Sequence, residues 1–273
     1  MSTVHVASFL HAASHTFTHV VADAATGAAA IIDPVLDYDP STGRQGTSPA
    51  EALLEHVAAH RLQVRWLLET HAHADHLSAA PWLKMRLPGA RLGIGAGIVE
   101  VQKHFVPEFG FDGEVAVDGS QFDHLFTDGE RLRLGDAEVR VIAVPGHTPD
   151  SIAYLIGDAL FPGDSIFMPD GGTARCDFPG GNAHALYRSI RRLFQLPDAT
   201  RVFVCHDYGP GGRALACETT IGDEKAGNIH VGGNADESDF VQQRTARDAT
   251  LAPPALMAPS IRANIRGLQA PMP

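Results

Sequence analysis

The sequence has few cysteines, no long apolar run and no excess of basic charge, and each shortage excludes a class of protein. Its three cysteines are odd in number and lack C-x-x-C spacing, so neither a disulfide framework nor a zinc knuckle is indicated. Lys and Arg total 21 against 32 Asp and Glu, a net charge of −11 that disfavours nucleic-acid binding. No apolar run reaches the length of a membrane span, so we expect no membrane insertion.

The first residues, Met1–His5, carry neither a basic segment nor a continuous apolar one. A secretory signal has both, so we expect none here and a cytoplasmic location. Hydrophobic residues make up 44% of the 273, which is ample for a buried core.

Short apolar runs and helical patterns alternate along the chain. Strands, a helix, a strand and a helix, followed by the same pattern again, predict an α/β (α+β) fold of two mixed sheets with helices on their outer faces. We expect one domain over residues 1–273, with a Pro-rich tail from about residue 251. Ser48 is the predicted cap of the first helix, Asn182 caps a later one, and Leu77–Met85 starts another.

The segment Thr70–His76 is the most informative feature, because it places three imidazoles and a carboxylate in six residues. Imidazole together with carboxylate suits zinc, iron or manganese better than calcium or magnesium. The segment directly follows the apolar run Val64–Leu68, so its ligands project from one short loop at a strand end. The four side chains are His71, His73, Asp75 and His76.

Three more candidate ligands, His147, Asp164 and His206, each lie just beyond an apolar run. Taken singly, His147 or His206 is as easily a structural histidine as a ligand. Because binding sites in layered α/β folds are expected at such strand ends, the combination predicts a metal site.

This combination resembles the metallo-β-lactamase superfamily over nearly the whole chain, which implies an αββα sandwich with the metal site at one edge of its two sheets. Three segments further resemble the persulfide dioxygenases: Ile31–Val35, Gly172–Phe178 and Val204–Tyr208. Gly172–Phe178 discriminates best, because a zinc thioesterase of the glyoxalase II type is expected to differ there and to carry a longer C-terminal helical region.

The resemblance implies one Fe(II) per chain, held by His71, His147 and Asp164, and a reaction that oxidises glutathione persulfide with O2 to sulfite and glutathione. Two histidines and one carboxylate leave positions open on iron, as in other non-haem oxygenases. The other four candidates would then orient the ligands by hydrogen bonds: His73, Asp75, His76 and His206. The alternative is a dinuclear zinc hydrolase of thioesters or lactones, in which these four residues are ligands themselves.

Arg175 is the best candidate for holding a glutathione carboxylate, since it lies in the discriminating segment and can bind bidentately. An ion pair with Asp177 is the equally good alternative. Arg213 and Tyr208 are weaker candidates for substrate contact. Asp33 matches a position that supports the metal loop. The resemblance also implies a possible homo-oligomer, although no interface can be identified in the sequence.

Overall fold

Two six-stranded mixed sheets form the centre of the protein, whose computed structural model describes residues 3–267. The strands are β1 Val4–His11, β2 Thr16–Asp23, β3 Ala28–Ile32, β4 Val35–Asp39, β5 Arg44–Gly46, β6 Gln63–Leu68, β7 Leu77–Ser78, β8 Arg91–Gly95, β9 His124–Phe126, β10 Arg131–Leu134, β11 Ala137–Ala143, β12 Ile152–Ile156, β13 Ala159–Phe161, β14 Arg201–Phe203 and β15 Glu218–Thr220. The helices are α1 Ser48–Ala59, α2 Ala80–Arg86, α3 Ile98–Glu108, α4 Ala183–Leu193, α5 Ile221–Gly227, α6 Glu237–Asp248 and α7 Met257–Asn264.

The first sheet has the order β1-β2-β3-β6-β8-β9, and β3, β6, β8 and β9 are parallel to one another. The second sheet has the order β10-β11-β12-β13-β14-β15 and is antiparallel except for the β13–β14 pair. A third, small sheet joins β5, β4 and β7.

Three apolar clusters separate four layers. Along β3, Ala29 and Ile31 face the helices α1 to α3, whereas Ala30 and Ile32 face the second sheet, as the two-residue period of a strand requires. On the far side of the second sheet, Leu186 and Ile190 of α4 pack in a cluster of their own. The predicted αββα sandwich is therefore confirmed.

Two local predictions need correction. Ser48 is the first helical residue of α1, and Thr47 precedes it without a side-chain cap hydrogen bond to the backbone. Thr47 instead donates its hydroxyl to the Glu51 carboxylate, 2.8 Å away. Leu77 and Ser78 pair with β4 rather than starting a helix, because α2 begins only at Ala80. The predicted cap Asn182 is confirmed, since its side chain accepts the Ala185 N–H at 2.9 Å.

The segment predicted as a Pro-rich tail contains helix α7, which packs against β7 beside the predicted metal loop. The buried Ile261 of α7 and Ile265, which directly follows the helix, belong to the cluster between the first sheet and helices α1 to α3. Across residues 3–267, no helix combines the length and apolar character needed to cross a membrane.

Candidate metal centre

Strands of both sheets end at one edge, and the loops after them carry the predicted ligands. The Ile152 N–H donates to the Thr70 carbonyl at 2.9 Å, which joins the second sheet to the loop of the first. Ligand candidates therefore approach one another from β6, β11, β13 and β14: His71, His147, Asp164 and His206.

His71, His147 and Asp164, here called the primary group, form a compact set of metal-ligand atoms within 4.8 Å of one another. The Asp164 Oδ2 atom lies 3.9 Å from His71 Nε2 and 3.6 Å from His147 Nε2. Ligand atoms around one first-row metal ion, each about 2.1 Å from it, are spaced at roughly such distances. The three predicted ligands are thus brought together by the fold.

The side chains of the primary group are arranged as metal ligands rather than as ordinary buried polar groups. The His147 Nδ1 atom lies 2.7 Å from the Arg175 carbonyl, which can only accept, so this nitrogen carries the proton and Nε2 keeps its lone pair. The buried atoms His71 Nε2 and Asp164 Oδ1 have no hydrogen-bond partner among the described residues, 3–267. Burial holds the pKa of His71 well below its ordinary value, so its imidazole is neutral and able to ligate. The residues present therefore fit a metal ion.

Glycines at two positions allow these approaches. Gly146 precedes His147 with a φ of +146°, and a Cβ there would collide with the Leu186 backbone. Gly163 precedes Asp164 with a φ of +54°, and a Cβ would lie 2.5 Å from the Thr70 hydroxyl. A side chain at either site would displace the ligand that follows.

Asp75, His76 and His206, here called the secondary group, lie beside the primary group. His206 Nε2 is 3.4 Å from Asp75 Oδ2 and 3.4 Å from Asp164 Oδ1. His76 Nε2 is buried and finds no hydrogen-bond partner in the described part of the chain. Asp164 therefore lies between the two groups, where a carboxylate can bridge two ions.

One ring nitrogen of His73 is bonded to buried carboxylates. Its Nε2 atom lies 3.0 Å from Asp33 Oδ1 and 3.5 Å from Glu69 Oε2, all three residues being buried. Burial alone would lower the pKa of His73, but the neighbouring Asp33 outweighs it and raises that pKa well above the ordinary value. The Nε2 atom bonded to these carboxylates orients the loop and offers no lone pair to a metal. The Nδ1 atom is buried and has no hydrogen-bond partner among residues 3–267, and His73 also forms a compact group with Asp75 and His76.

Asp33 holds the metal loop, as the resemblance implies. Its carboxylate accepts the Thr70 N–H at 2.8 Å, the Thr70 hydroxyl at 2.9 Å and the His73 Nε2 proton at 3.0 Å. Its own backbone is left-handed, with a φ of +49°.

Two further residues that support this loop are not among those predicted from the sequence. Asp150 accepts the Ala72 N–H at 2.7 Å. Asn264 of α7 donates to the carbonyls of His73 and His76, at 2.8 and 2.9 Å. The proximity of Asp150 to His147 in the sequence is a signal that could have identified it. Asn264 is 188 residues from His76, and no sequence signal links the two.

A cleft of about 770 Å³ opens over the metal centre. Its floor includes His147, Asp164 and His206, and its walls include Tyr208, Arg175 and several residues of the C-terminal segment. The Tyr208 ring is parallel to that of His206, with 6.0 Å between centroids, so the structure places this residue beside the candidate ligands.

The two arginines predicted to bind substrate are engaged within the protein. Arg175 forms two hydrogen bonds to Asp177, at 2.5 and 2.6 Å, so the alternative interpretation of this residue describes the structure. Arg213 is held between Asp170 and Asp207, and it is absent from the residues that line the cleft. The expectation for Arg213 is therefore wrong, because two acids neutralise it away from the cleft.

A buried carboxyl group lies behind the cleft wall and gives a pH-dependent prediction. Burial raises the pKa of Glu224 to about 8, although the hydrogen bond that Asn228 donates to this carboxyl group lowers it in part. Asn228 also donates to the Gly172 carbonyl. Because the folded state binds this proton more tightly than the unfolded state, the stability it contributes is complete below pH 4.5 and is lost as pH rises through about 8.

Glu224→Gln should therefore flatten this pH dependence. Relative to the variant, the wild-type protein should lose on the order of 4 kcal/mol of unfolding free energy between about pH 5 and pH 8. Urea unfolding at several pH values measures it, with the partly exposed Glu237→Gln as a control that parallels the wild type above pH 6. Parallel curves for wild type and Glu224→Gln would contradict the assignment.

Residues 14–206 match the family model described as the metallo-beta-lactamase superfamily. This range contains every residue of the primary and secondary groups. The chain belongs to this superfamily, and both the predicted fold family and the metal-binding character of the edge are confirmed.

Particular relatives point in two directions. The chain is 48% identical over 98% of its length to a probable metallo-hydrolase of Burkholderia pseudomallei, covering 94% of that protein. It is 44% identical over 94% of its length to glyoxylase B2 of Dictyostelium discoideum, covering 89% of it. The persulfide dioxygenase ETHE1 of Homo sapiens is 30% identical over 71% of the chain and 65% of the human protein. The crystal structure of ETHE1 from Myxococcus xanthus superimposes with a TM-score of 0.77 at 31% identity, covering 97% of this chain and all of that one.

Proposed function

We propose that this protein is an iron-dependent persulfide dioxygenase that converts glutathione persulfide, O2 and water into glutathione and sulfite. The observation that carries the proposal is the primary group, two imidazoles and one carboxylate whose ligand atoms lie within 4.8 Å of one another. The similarity to the human and bacterial proteins named ETHE1 supports it.

Within this proposal, His71, His147 and Asp164 would hold one Fe(II), which would supply the redox chemistry for the four-electron oxidation of the terminal sulfur by O2. The chain itself fixes the imidazole rings and places the carboxylate. The Arg175 carbonyl keeps the proton of His147 on Nδ1, and Thr70 lies 3.0 Å from His71 Nδ1.

For the thiol carrier, we propose Arg247 of α6 as the group that binds a glutathione carboxylate. Arg175 and Arg244, which also line the cleft, are both paired with acids. Arg247 lines the cleft too, is exposed, and has no carboxylate within 4 Å among residues 3–267. A guanidinium without an acidic partner, facing the substrate space, is suited to an anionic ligand.

Arg247→Ala should raise KM for glutathione persulfide about tenfold and leave kcat nearly unchanged, because a charge-assisted hydrogen bond is lost away from the reacting atoms. The persulfide of cysteamine has no carboxylate, so its KM should be equal in wild type and variant. Arg191→Ala is the matched control, since Arg191 is an exposed arginine of α4 outside the cleft. Unchanged KM for glutathione persulfide in Arg247→Ala would refute the assignment.

A dinuclear zinc hydrolase of thioesters or lactones is the second candidate. The secondary group favours it, because Asp75, His76 and His206 lie where a second ion could share Asp164. The names of the relatives at 44% and 48% identity also favour hydrolysis. Oxygen-electrode traces with glutathione persulfide and hydrolysis assays with S-lactoylglutathione on the same preparation separate the two functions.

A further inference from the structure

We propose that the buried Arg244–Asp248 ion pair of α6 is a positioning device for the metal ligand His147. Helix α6 lies beyond residues 14–206, the part of the chain that matches the superfamily model. The inference concerns metal binding and holds for either reaction proposed above.

The pair is buried and its bonds are well formed. Arg244 Nε lies 2.8 Å from Asp248 Oδ1, and the terminal guanidinium nitrogen Nη2 lies 2.6 Å from the same oxygen. Arg244 is 6% exposed and Asp248 5%. One turn of helix separates the two residues, so the helix backbone itself sets their spacing.

Both members of the pair also bind the backbone of the loop that follows Gly172. The Cys176 N–H donates to Asp248 Oδ2 at 2.7 Å. Arg244 Nη1 donates to the Thr173 carbonyl at 3.2 Å. The pair therefore holds this loop at two points, one on each side of Arg175.

Between those two points lies the carbonyl that orients His147. The Arg175 carbonyl accepts the His147 Nδ1 proton at 2.7 Å, and this bond turns Nε2 toward Asp164 Oδ2, 3.6 Å away. No other hydrogen bond to the His147 ring is present within residues 3–267. Moving the loop backbone would therefore rotate the imidazole out of the primary group, because nothing else holds its Nδ1 side.

The proposed chain runs from α6 through the loop backbone to the ligand. Outer partners of metal-bound histidines typically account for 10- to 100-fold in metal affinity. Here the outer partner is the Arg175 carbonyl. Its position depends on the Arg244–Asp248 pair, which binds the loop at Thr173 and Cys176, two residues before Arg175 and one after it. The ion pair is thus a positioning element, with no contact to metal or substrate required.

The test measures metal affinity and ligand geometry in the full-length protein, with Co(II) as the probe. Asp248→Ala should weaken Co(II) binding about 10- to 100-fold and change the visible absorption bands of the bound ion, since one imidazole ligand is no longer held. Because removing one member leaves a buried uncompensated charge, this variant is also expected to lose stability.

The double variant Arg244→Met with Asp248→Leu separates positioning from folding. Apolar replacements of similar size often restore the stability of a buried ion pair, but they cannot bind the loop backbone. We expect a smaller loss of stability than in Asp248→Ala, because no uncompensated charge is left buried, together with the same loss of Co(II) affinity and the same spectral change. Glu237→Gln is the control, because Glu237 forms a partly exposed pair with Arg188 at the other end of α6.

Wild-type affinity and spectrum in the double variant would overturn the proposal, whether or not the single variant folds. A recovery of affinity in parallel with stability would do the same, because the pair would then be needed only for the fold.

Discussion

Asp164→Ala is expected to lose its metal ion and, with it, all measurable turnover. Asp164 provides the only carboxylate of the primary group, and its two oxygens face His71 and His147 on one side and His206 on the other. Removing it should lower metal affinity well beyond the roughly 100-fold that loss of an outer partner costs. Metal analysis by mass spectrometry after dialysis, together with oxygen-uptake rates, measures both effects.

His206→Ala is the informative comparison. His206 belongs only to the secondary group, so a single-iron enzyme should retain about one metal ion per chain and a measurable part of its oxygen uptake. A dinuclear hydrolase should lose its second ion and its activity. An Asp164→Ala protein that still binds metal as the wild type does would show that the primary group is not the metal site.

Asp33→Ala is expected to cause the largest loss of stability of any single change in the loop. The substitution removes the carboxylate that keeps the buried His73 imidazole charged, and it removes the acceptor of both Thr70 donors. Breaking a buried pair in this way costs about 3–5 kcal/mol of unfolding free energy. The left-handed backbone at this position adds strain for alanine.

Urea unfolding with a circular-dichroism signal tests this expectation. Asp33→Asn should be intermediate, because asparagine tolerates the backbone conformation and keeps one acceptor. Asp37→Ala is the control: Asp37 pairs with His11 but its side chain is 47% exposed, so the change should cost about 1 kcal/mol or less. Equal losses in Asp33→Ala and Asp37→Ala would contradict the role assigned to Asp33.

The fold and the ligand set could be predicted because they depend on local patterns. An apolar run followed by a turn and a histidine marks a strand end, and His147 and Asp164 each follow a glycine that the structure requires. The short pairing of Leu77 with β4 could not be predicted, because two residues carry no periodic pattern. The same applies to the contact of α7 with the metal loop, which depends on tertiary packing.

Residue roles were harder to predict than residue positions. The ring of His73 can point to a metal or to Asp33, and the spacing of the motif is the same in both cases. Arg244 and Asp248 are spaced like an ordinary surface pair on a helix, and only their burial makes them distinctive. The sequence leaves Arg175 equally suited to a substrate carboxylate and to Asp177, and in the structure the residue lines the cleft while Asp177 occupies its guanidinium.

The proposed function rests on one ion, iron, in the primary group. The most direct measurement is the metal content of protein produced with both iron and zinc in the growth medium, followed by oxygen uptake with glutathione persulfide. We predict about one iron per chain and consumption of one O2 for each sulfite released. Two zinc ions per chain and no oxygen uptake would contradict the account and favour the hydrolase.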